Sequence, residues 1–270
     1  FIATTKDVVV LGGGFIGLET AATLAAAGCR VTVLEAAERL LGRAVAPVVA
    51  AHVRRRLEES GIRILTGTTV SRLEGDKGHV CAAVSSSGER LPAQMVIVGI
   101  GVVPATELAE AAGVATANGI RVDAQMRSSV PEVLAVGDAV SFRHWFTGQD
   151  VRLESVQNAT DQARLAARTL IGHEETYAAV PWFWSDIGDM KLQMVGLTAG
   201  GDREVLVGEA AENRFSIYHY LGDRLLGIES VNRPADHMMG RKMMGAGFSP
   251  SPELVASGGD LKAALAAFQT

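Results

Sequence analysis

A glycine-rich turn between two apolar runs constrains this sequence more than any other feature. Residues 8–11 read VVVL and lead into GGGFIG at residues 12–17, which an Ala-rich run follows. This order predicts a strand, a tight turn and a helix, the start of a dinucleotide-binding unit. In such a unit Gly12 permits the sharp turn, Gly14 lets backbone approach a pyrophosphate, and Gly17 lets the helix pack closely on the strand. A glycine turn in some other βα unit is the alternative interpretation.

An acidic residue after the next apolar run indicates which dinucleotide binds. The run at residues 31–34 ends at Glu35, which lies 23 residues after Gly12. A carboxylate at this place accepts hydrogen bonds from a ribose diol and repels a 2′-phosphate. The sequence therefore predicts an NAD site that prefers NADH to NADPH.

The composition excludes several classes of protein. The length of 270 residues allows about two domains. Hydrophobic residues make up 48% of the chain, which is enough to fill a sizeable core. A net charge of −5 argues against nucleic-acid binding, and no apolar run is long enough to cross a membrane. Cys29 and Cys81 lie far apart, which is typical of intracellular proteins, and the six histidines lack metal-ligand spacing. We therefore expect a cytoplasmic protein that binds no metal, and we further expect it to be a monomer.

The pattern of elements predicts a mainly α/β chain in three regions. Residues 1–117 are expected to form a Rossmann-like NAD domain, with an antiparallel meander between residues 69 and 91. Residues 118–178 have short strands followed by a helix over residues 155–171. Residues 179–270 have alternating strands and then helices, which indicates an α+β C-terminal domain.

The middle region carries a second acidic signal. Residues 133–136 are predicted to form a buried strand that ends at Gly137 and Asp138. A strand places the residue after its end where α/β sheets bind ligands, so Asp138 is predicted to bind a cofactor hydroxyl. A simple turn at this place is the alternative. In the following helix Ser155 is the expected N-cap, and the expected apolar stripe comprises Val156, Ala159, Ala163, Ala166 and Leu170.

Six motifs together resemble the pyridine-nucleotide-dependent flavoprotein reductases, and in particular the NADH:ferredoxin reductases of P450 and ring-hydroxylating dioxygenase systems. They are residues 8–35, 98–104, 128–138, RLESVQNA at 152–159, PWFWSD at 181–186 and VNRPAD at 231–236. The resemblance implies NADH and FAD as cofactors. It implies that residues 118–178 are the second segment of a discontinuous FAD-binding domain, whose first segment is expected to be absent from this sequence.

On the NAD side, the resemblance assigns roles to four further positions. Glu35 is expected to bind the adenosine ribose, with Arg43 beside the adenine. Glu19 matches a family glutamate near the nicotinamide, and Gly101 matches a residue that lines the nicotinamide slot. The pyrophosphate is expected to lie over the glycine turn.

On the FAD side, the resemblance assigns five residues. Asp138 is expected to bind the ribityl chain, and Glu154, Ser155 and Val156 are expected at the isoalloxazine end. Trp184 is expected to cover the flavin ring, which makes Glu19 and Trp184 the candidate catalytic residues. An ordinary core or interface tryptophan is the alternative for Trp184.

The implied activity is transfer of a hydride from NADH to FAD and then of single electrons to an acidic 2Fe-2S ferredoxin that feeds an oxygenase. One alternative is an NADH oxidase or peroxidase, whose catalytic cysteine would lie in the absent segment. Another is a non-catalytic NAD-binding module, if the FAD segment is never supplied.

Overall fold

The computed structural model describes residues 5–42 and 44–270. Its first part shows the predicted alternation of strands and helices. In chain order these elements are β1 (Asp7–Leu11), α1 (Phe15–Ala26), β2 (Arg30–Leu34), α2 (Pro47–Glu59), β3 (Arg63–Leu65), β4 (Val70–Asp76), β5 (His79–Ser85), β6 (Arg90–Pro92), β7 (Met95–Val98) and α3 (Glu107–Ala111).

A parallel four-stranded sheet in the order β3-β2-β1-β7 forms the centre of this part. Both faces of β1 are covered, which explains its continuous apolar sequence. Val8 and Val10 pack with the helices, whereas Val9 and Leu11 pack with the antiparallel sheet β4-β5-β6. The predicted meander thus covers the face of the parallel sheet that the helices leave open.

A small mixed sheet and a long helix follow. Their elements are β8 (Thr116–Ala117), β9 (Gly119–Val122), β10 (Val140–Arg143), β11 (Asp150–Val151) and α4 (Val156–Leu170). β9 and β10 are parallel, and β8 pairs with β9 across the predicted domain boundary between residues 117 and 118. Ser155 caps α4 as expected, because its side chain accepts a hydrogen bond from the Asn158 N–H at 3.1 Å.

The predicted buried strand at residues 133–136 is wrong. Within the described residues this segment makes one isolated bridge, between Leu134 and Arg127, and Val136 is 38% exposed. A strand requires a hydrogen-bonded neighbour. Among the described strands, β9 pairs with β8 on one edge and with β10 on the other, so it has no free edge for residues 133–136. Asp138 therefore lies in an exposed turn that precedes β10 rather than at the end of a buried strand.

The predicted apolar stripe of α4 is also wrong. Val156 and Leu170 are 67% and 71% exposed. The buried face is largely polar and comprises Gln157, Asn158, Gln162, Leu165, Ala166 and Thr169. Hydrogen bonds stabilise most of these polar groups inside: Oε1 of Gln162 accepts from the Gly137 N–H, and Oδ1 of Asn158 accepts from the Tyr177 hydroxyl. Nε2 of Gln162 is buried without a partner among the described residues.

The last part of the chain is an antiparallel sheet with helices on it. Its elements are β12 (Trp182–Ile187), β13 (Met190–Gly196), β14 (Arg203–Glu209), β15 (Arg214–Leu221), β16 (Arg224–Val231), α5 (Pro234–Gly245), α6 (Pro252–Ala256) and α7 (Leu261–Phe268). The strand order is β12-β13-β16-β15-β14. The predicted α/β and α+β composition is therefore confirmed. No helix in the described ranges is long and apolar enough to span a membrane.

The antiparallel sheet packs directly on the helices of the parallel sheet. One apolar cluster contains Leu18 and Ala22 of α1 together with Ile187, Leu192 and Phe215 of the antiparallel sheet. Arg56 at the end of α2 also forms an ion pair with Asp189, in the turn between β12 and β13. This packing fixes β12 beside α1, which positions the candidate site.

Candidate nucleotide-binding site

The glycine turn has the geometry that a pyrophosphate site requires. Gly12 has φ +107°, and a Cβ there would overlap the carbonyl oxygen of Gly99. A Cβ on Gly17 would overlap the carbonyl oxygen of Gly12, so α1 packs on the turn at a distance that only glycine allows. A Cβ on Gly14, in contrast, would meet nothing within 4 Å. The turn is therefore tight on the protein side and open above Gly14.

The start of α1 fits an anionic group. Gly14 is the N-cap, no side chain caps the helix, and its first turn contains no acidic residue. The first N–H groups of a helix lack partners within the helix and carry its positive dipole end. The structure thus leaves these donors available at the open side of the turn, where the sequence predicts the pyrophosphate.

Glu35 lies next to the same turn. Its Oε2 accepts a hydrogen bond from the Gly13 N–H at 2.6 Å, and its Oε1 accepts one from the Ala37 N–H at 2.7 Å. The carboxylate predicted to bind the ribose is therefore fixed by two backbone donors. Arg43, predicted beside the adenine, lies outside the described residues.

The turn after β7 forms the opposite wall. β7 pairs with β1, which brings Gly99 against Gly12. Gly101 follows with φ +105° in an exposed position, and a Cβ there would meet nothing within 4 Å. The structure therefore brings Gly101 to the same end of the sheet as the glycine turn and Glu35.

Glu19 connects this end of the sheet to β12. Its Oε1 accepts hydrogen bonds from the Ser185 hydroxyl at 2.6 Å and from the Asp186 N–H at 3.1 Å. Ser185 is 1% exposed, whereas its neighbour Trp184 is 44% exposed. The structure thus shows a contact of Glu19 that sequence reasoning missed, and its expected place near the nicotinamide stays a prediction.

The other end of β12 is bonded to α4. The Trp182 N–H donates to Oε1 of Gln157 at 3.1 Å, and Gln157 is the second residue of α4. β12 is therefore bonded at one end to α4 and at the other to α1. The sequence assigns α4 to the FAD side and α1 to the NAD side. Trp184 lies between these two attachment points.

Arg152 organises the predicted FAD-side residues. Its Nη1 lies 2.6 Å from Oε1 of Glu154 and donates to the backbone oxygen of Asp138 at 3.0 Å. Its Nε also donates to Asn118 at 3.1 Å. The structure therefore brings Asp138 and Glu154 together through an arginine that sequence reasoning missed. Ser155 caps α4, and the side chain of Val156 is exposed.

Comparison with known proteins identifies the family. Residues 2–163 match the family described as pyridine nucleotide-disulphide oxidoreductase, and residues 182–265 match the one described as reductase C-terminal. The chain belongs to the pyridine nucleotide-disulphide oxidoreductase family. The resemblance inferred from the motifs is thereby confirmed. The cofactors of this family are FAD and NAD(P)H.

Individual relatives are named as reductases of electron-transfer proteins. The chain is 42% identical to rhodocoxin reductase of Rhodococcus erythropolis, over 98% of this chain and 62% of the relative. It is 42% identical to putidaredoxin reductase of Pseudomonas putida, over 92% of this chain and 59% of the relative. The chain thus spans about 60% of the length of these curated relatives.

Two solved structures share the fold. One is the ferredoxin reductase for the CYP199A2 system of Rhodopseudomonas palustris, with a TM-score of 0.94 and 46% identity. The match covers 98% of this chain and 66% of that structure. The other is a covalent putidaredoxin reductase–putidaredoxin complex, with a TM-score of 0.92 and 41% identity, covering 97% of this chain and 64% of that chain.

The missed residues of this family member all bridge elements that are distant in sequence. Ser185, Gln157 and Arg152 each lie inside a motif that carries the resemblance. Ser185 and Gln157 are adjacent to the candidate residues Trp184 and Val156, and Arg152 is two residues before Glu154. Their position in these motifs is the signal that was available. Among the described residues, no group of three or more His, Cys, Asp or Glu side chains could hold a metal ion.

A buried histidine behind β12 predicts a pH dependence of stability. His237 is 1% exposed and packs edge-on against Trp182, whose ring lies 4.2 Å below the Arg241 guanidinium. Burial and, to a lesser extent, Arg241 lower the pKa of His237 from 6.5 to about 4. Between these two pH values the unfolded chain binds a proton that the folded chain does not, so stability falls as the pH falls.

This dependence is measured as the urea midpoint between pH 7 and pH 4. We expect the decline to be shallower in a His237→Phe variant, which has no titrating group at this position. His173→Phe is the control because His173 is exposed. An identical pH profile for the native chain and His237→Phe contradicts the prediction.

Proposed function

We propose that this chain is the NADH-binding and electron-transferring part of a ferredoxin reductase. In this proposal NADH delivers a hydride to FAD, and electrons then pass one at a time to a 2Fe-2S ferredoxin that feeds an oxygenase. FAD supplies the exchange between two-electron and one-electron steps when it is bound. The observation that carries the proposal is β12, which presents Trp184 between an NAD-side and a FAD-side attachment.

On the NAD side, the role of the chain is to bind and orient the dinucleotide. The open face at Gly14 and the free donors of α1 receive the pyrophosphate, and Glu35 binds the adenosine ribose. Gly101 leaves space for the nicotinamide, because a side chain there would project into the open area beside the turn. Orientation of this kind lowers the entropic part of the barrier to hydride transfer.

The FAD side of the chain has an apolar surface that supports a further contact. Val156, Leu170 and Ile171 of α4 and its C-terminal end are 67%, 71% and 76% exposed. Val156, Ala163 and Leu170 recur every seven residues and therefore follow one exposed face of α4. An apolar strip of this kind at the surface of a protein marks an interaction site. In our proposal this surface packs against a first FAD segment, and we assign that segment to the part of the relatives that this chain does not cover.

The ferredoxin is proposed to bind near the first residue of β12, Trp182. Lys242 is exposed on α5, one residue after the Arg241 that stacks on Trp182. Positive groups here complement an acidic ferredoxin and accelerate its association despite the net charge of −5. The solved complex of a related reductase with putidaredoxin supports a partner of this type.

Absorption spectroscopy and an electron-transfer assay test the proposal. We expect the 270-residue chain to bind NADH without visible flavin absorbance. Combined with a first FAD segment, on the same polypeptide or co-expressed, it should become yellow. The yellow protein should reduce cytochrome c with NADH, and the rate should rise at least tenfold when a 2Fe-2S ferredoxin is added. The ferredoxin is needed because, in our proposal, the surface of the reductase is complementary to the ferredoxin and not to cytochrome c.

The same assay separates the alternatives. A yellow protein that consumes NADH with oxygen or peroxide, and does not respond to the ferredoxin, is an NADH oxidase or peroxidase. A protein that binds NADH but does not bind FAD, whether the first FAD segment is fused to it or co-expressed, is a non-catalytic NAD-binding module. Either result overturns the proposed electron transfer.

A further inference from the structure

Gly13, the second residue of the glycine turn, has both backbone groups engaged by the segment that follows β2. Its N–H donates to Oε2 of Glu35 at 2.6 Å. Its carbonyl oxygen accepts a hydrogen bond from the Leu41 N–H at 2.8 Å. The segment containing Glu35 is therefore bound to the glycine turn at Gly13.

The space around Gly13 is filled on the side of Glu35. A Cβ on Gly13 would lie 2.6 Å from Cδ2 of Leu40, 3.0 Å from Oε2 of Glu35 and 3.2 Å from Cβ of Glu35. Leu40 is only 1% exposed and is packed in the core, so it has little room to move. The part-buried carboxylate of Glu35 is the group that a methyl at residue 13 would displace.

The backbone of Gly13 does not itself require glycine. Gly12 has a positive φ, whereas Gly13 does not belong to the residues with positive φ. A side chain at residue 13 is therefore excluded by Glu35 and Leu40 and not by the turn. This distinguishes Gly13 from Gly12 and Gly17, where a Cβ would overlap backbone.

We propose that Gly13 is a specificity-determining residue, and that the absence of a side chain there holds the Glu35 carboxylate in the position that selects NADH over NADPH. The inference rests on the proposed function, because it deepens the role of the same dinucleotide site. Each oxygen of Glu35 accepts one backbone N–H and keeps lone-pair capacity for a ribose hydroxyl. The carboxylate is thus oriented before the dinucleotide arrives, which reduces the cost of binding.

Binding titrations of the 270-residue chain with NADH and with NADPH test this inference. In Gly13→Ala we expect the ratio of NADH to NADPH affinity to fall about tenfold, the value of one charge-assisted hydrogen bond. Gly14→Ala is the matched control in the same turn. A methyl at Gly14 points into the open space, so it should weaken both dinucleotides equally and leave the ratio unchanged.

A double-mutant cycle separates specificity from a general disturbance of the turn. In a Glu35→Ala background, Gly13→Ala should change the ratio no further, because the displaced group is gone. If Gly13→Ala fails to fold, Gly13→Ala/Leu40→Ala removes the contact with Leu40 and leaves the contact with Glu35, so the same lowered ratio is expected.

The outcomes distinguish this inference from the proposed function. A native chain that binds NADH and NADPH equally overturns the NADH site and the inference with it. A native chain that prefers NADH, together with Gly13→Ala retaining the native ratio, overturns the role of Gly13 alone. A further lowering of the ratio when Gly13→Ala is added to the Glu35→Ala background also overturns it.

Discussion

Gly17→Ala is expected to lower NADH affinity about 100-fold, the loss of two charge-assisted hydrogen bonds of about 1.5 kcal/mol each. A Cβ at residue 17 would overlap the carbonyl oxygen of Gly12 and would lie 3.5 Å from Cγ1 of Val10. Both neighbours belong to rigid parts of the fold, the turn and the buried strand β1. The first turn of α1 must therefore shift, and the N–H groups that we propose to bind the pyrophosphate move with it.

A fluorescence titration with NADH measures this effect, and urea unfolding shows whether the fold survives. Thr23→Ala is the control on the same helix, because Thr23 is exposed and its hydroxyl only bonds back to the Glu19 carbonyl. Its NADH affinity should equal that of the native chain. A folded Gly17→Ala protein with native NADH affinity contradicts the assigned role of the glycine turn.

The parallel sheet and its turn could be predicted from the sequence because each local signal there agrees with the global fold. β1 is apolar at every position from residue 8 to residue 11 because both of its faces are covered. Pro47 stands at the first position of α2, where proline is favoured, and the short segments between residues 69 and 91 form the predicted three-stranded meander. In β1, α2 and the meander, the local sequence pattern and the tertiary packing favour the same secondary structure.

The region after residue 118 could not be predicted as well, because its pattern depends on partners outside the local sequence. Residues 133–136 are apolar, yet within the described chain they bond to no neighbouring strand beyond one bridge. In our proposal, the exposed Val156 and Leu170 of α4 are apolar because they contact the first FAD segment. An apolar pattern shows that a residue is to be covered but not what covers it.

The attachments of β12 show a second limit of sequence reasoning. Glu19 and Ser185 are 166 residues apart, and Gln157 and Trp182 are 25 residues apart. Nothing in the local sequence of either partner indicates such a pair. The sequence could therefore name the candidate residues of the two nucleotide sides, while the connection between them required the packing of the antiparallel sheet on α1.

Glu35→Arg is expected to reverse the dinucleotide preference, with a change of about 1,000-fold in the ratio of NADH to NADPH affinity. The substitution removes about 2 kcal/mol of hydrogen bonding to the ribose diol and adds about 2 kcal/mol of attraction to the 2′-phosphate. Glu35 is suited to this role because its carboxylate lies against the glycine turn, 2.6 Å from the Gly13 nitrogen. Glu35→Ala should show only part of the change, since it removes the carboxylate without adding a positive charge.

Titrations of each variant with both dinucleotides over a range of salt concentrations measure the effect. The NADPH affinity of Glu35→Arg should fall with salt more steeply than its NADH affinity, because only the 2′-phosphate interacts with the new charge and salt screens that interaction. Glu38→Gln is the matched control: Glu38 is an exposed acid in the same loop, and its carboxylate lies near Gly67 rather than the glycine turn. Because Glu38→Gln removes one negative charge without touching the ribose site, an equal change of the ratio in Glu38→Gln would assign the selectivity to the general charge of the loop and not to Glu35.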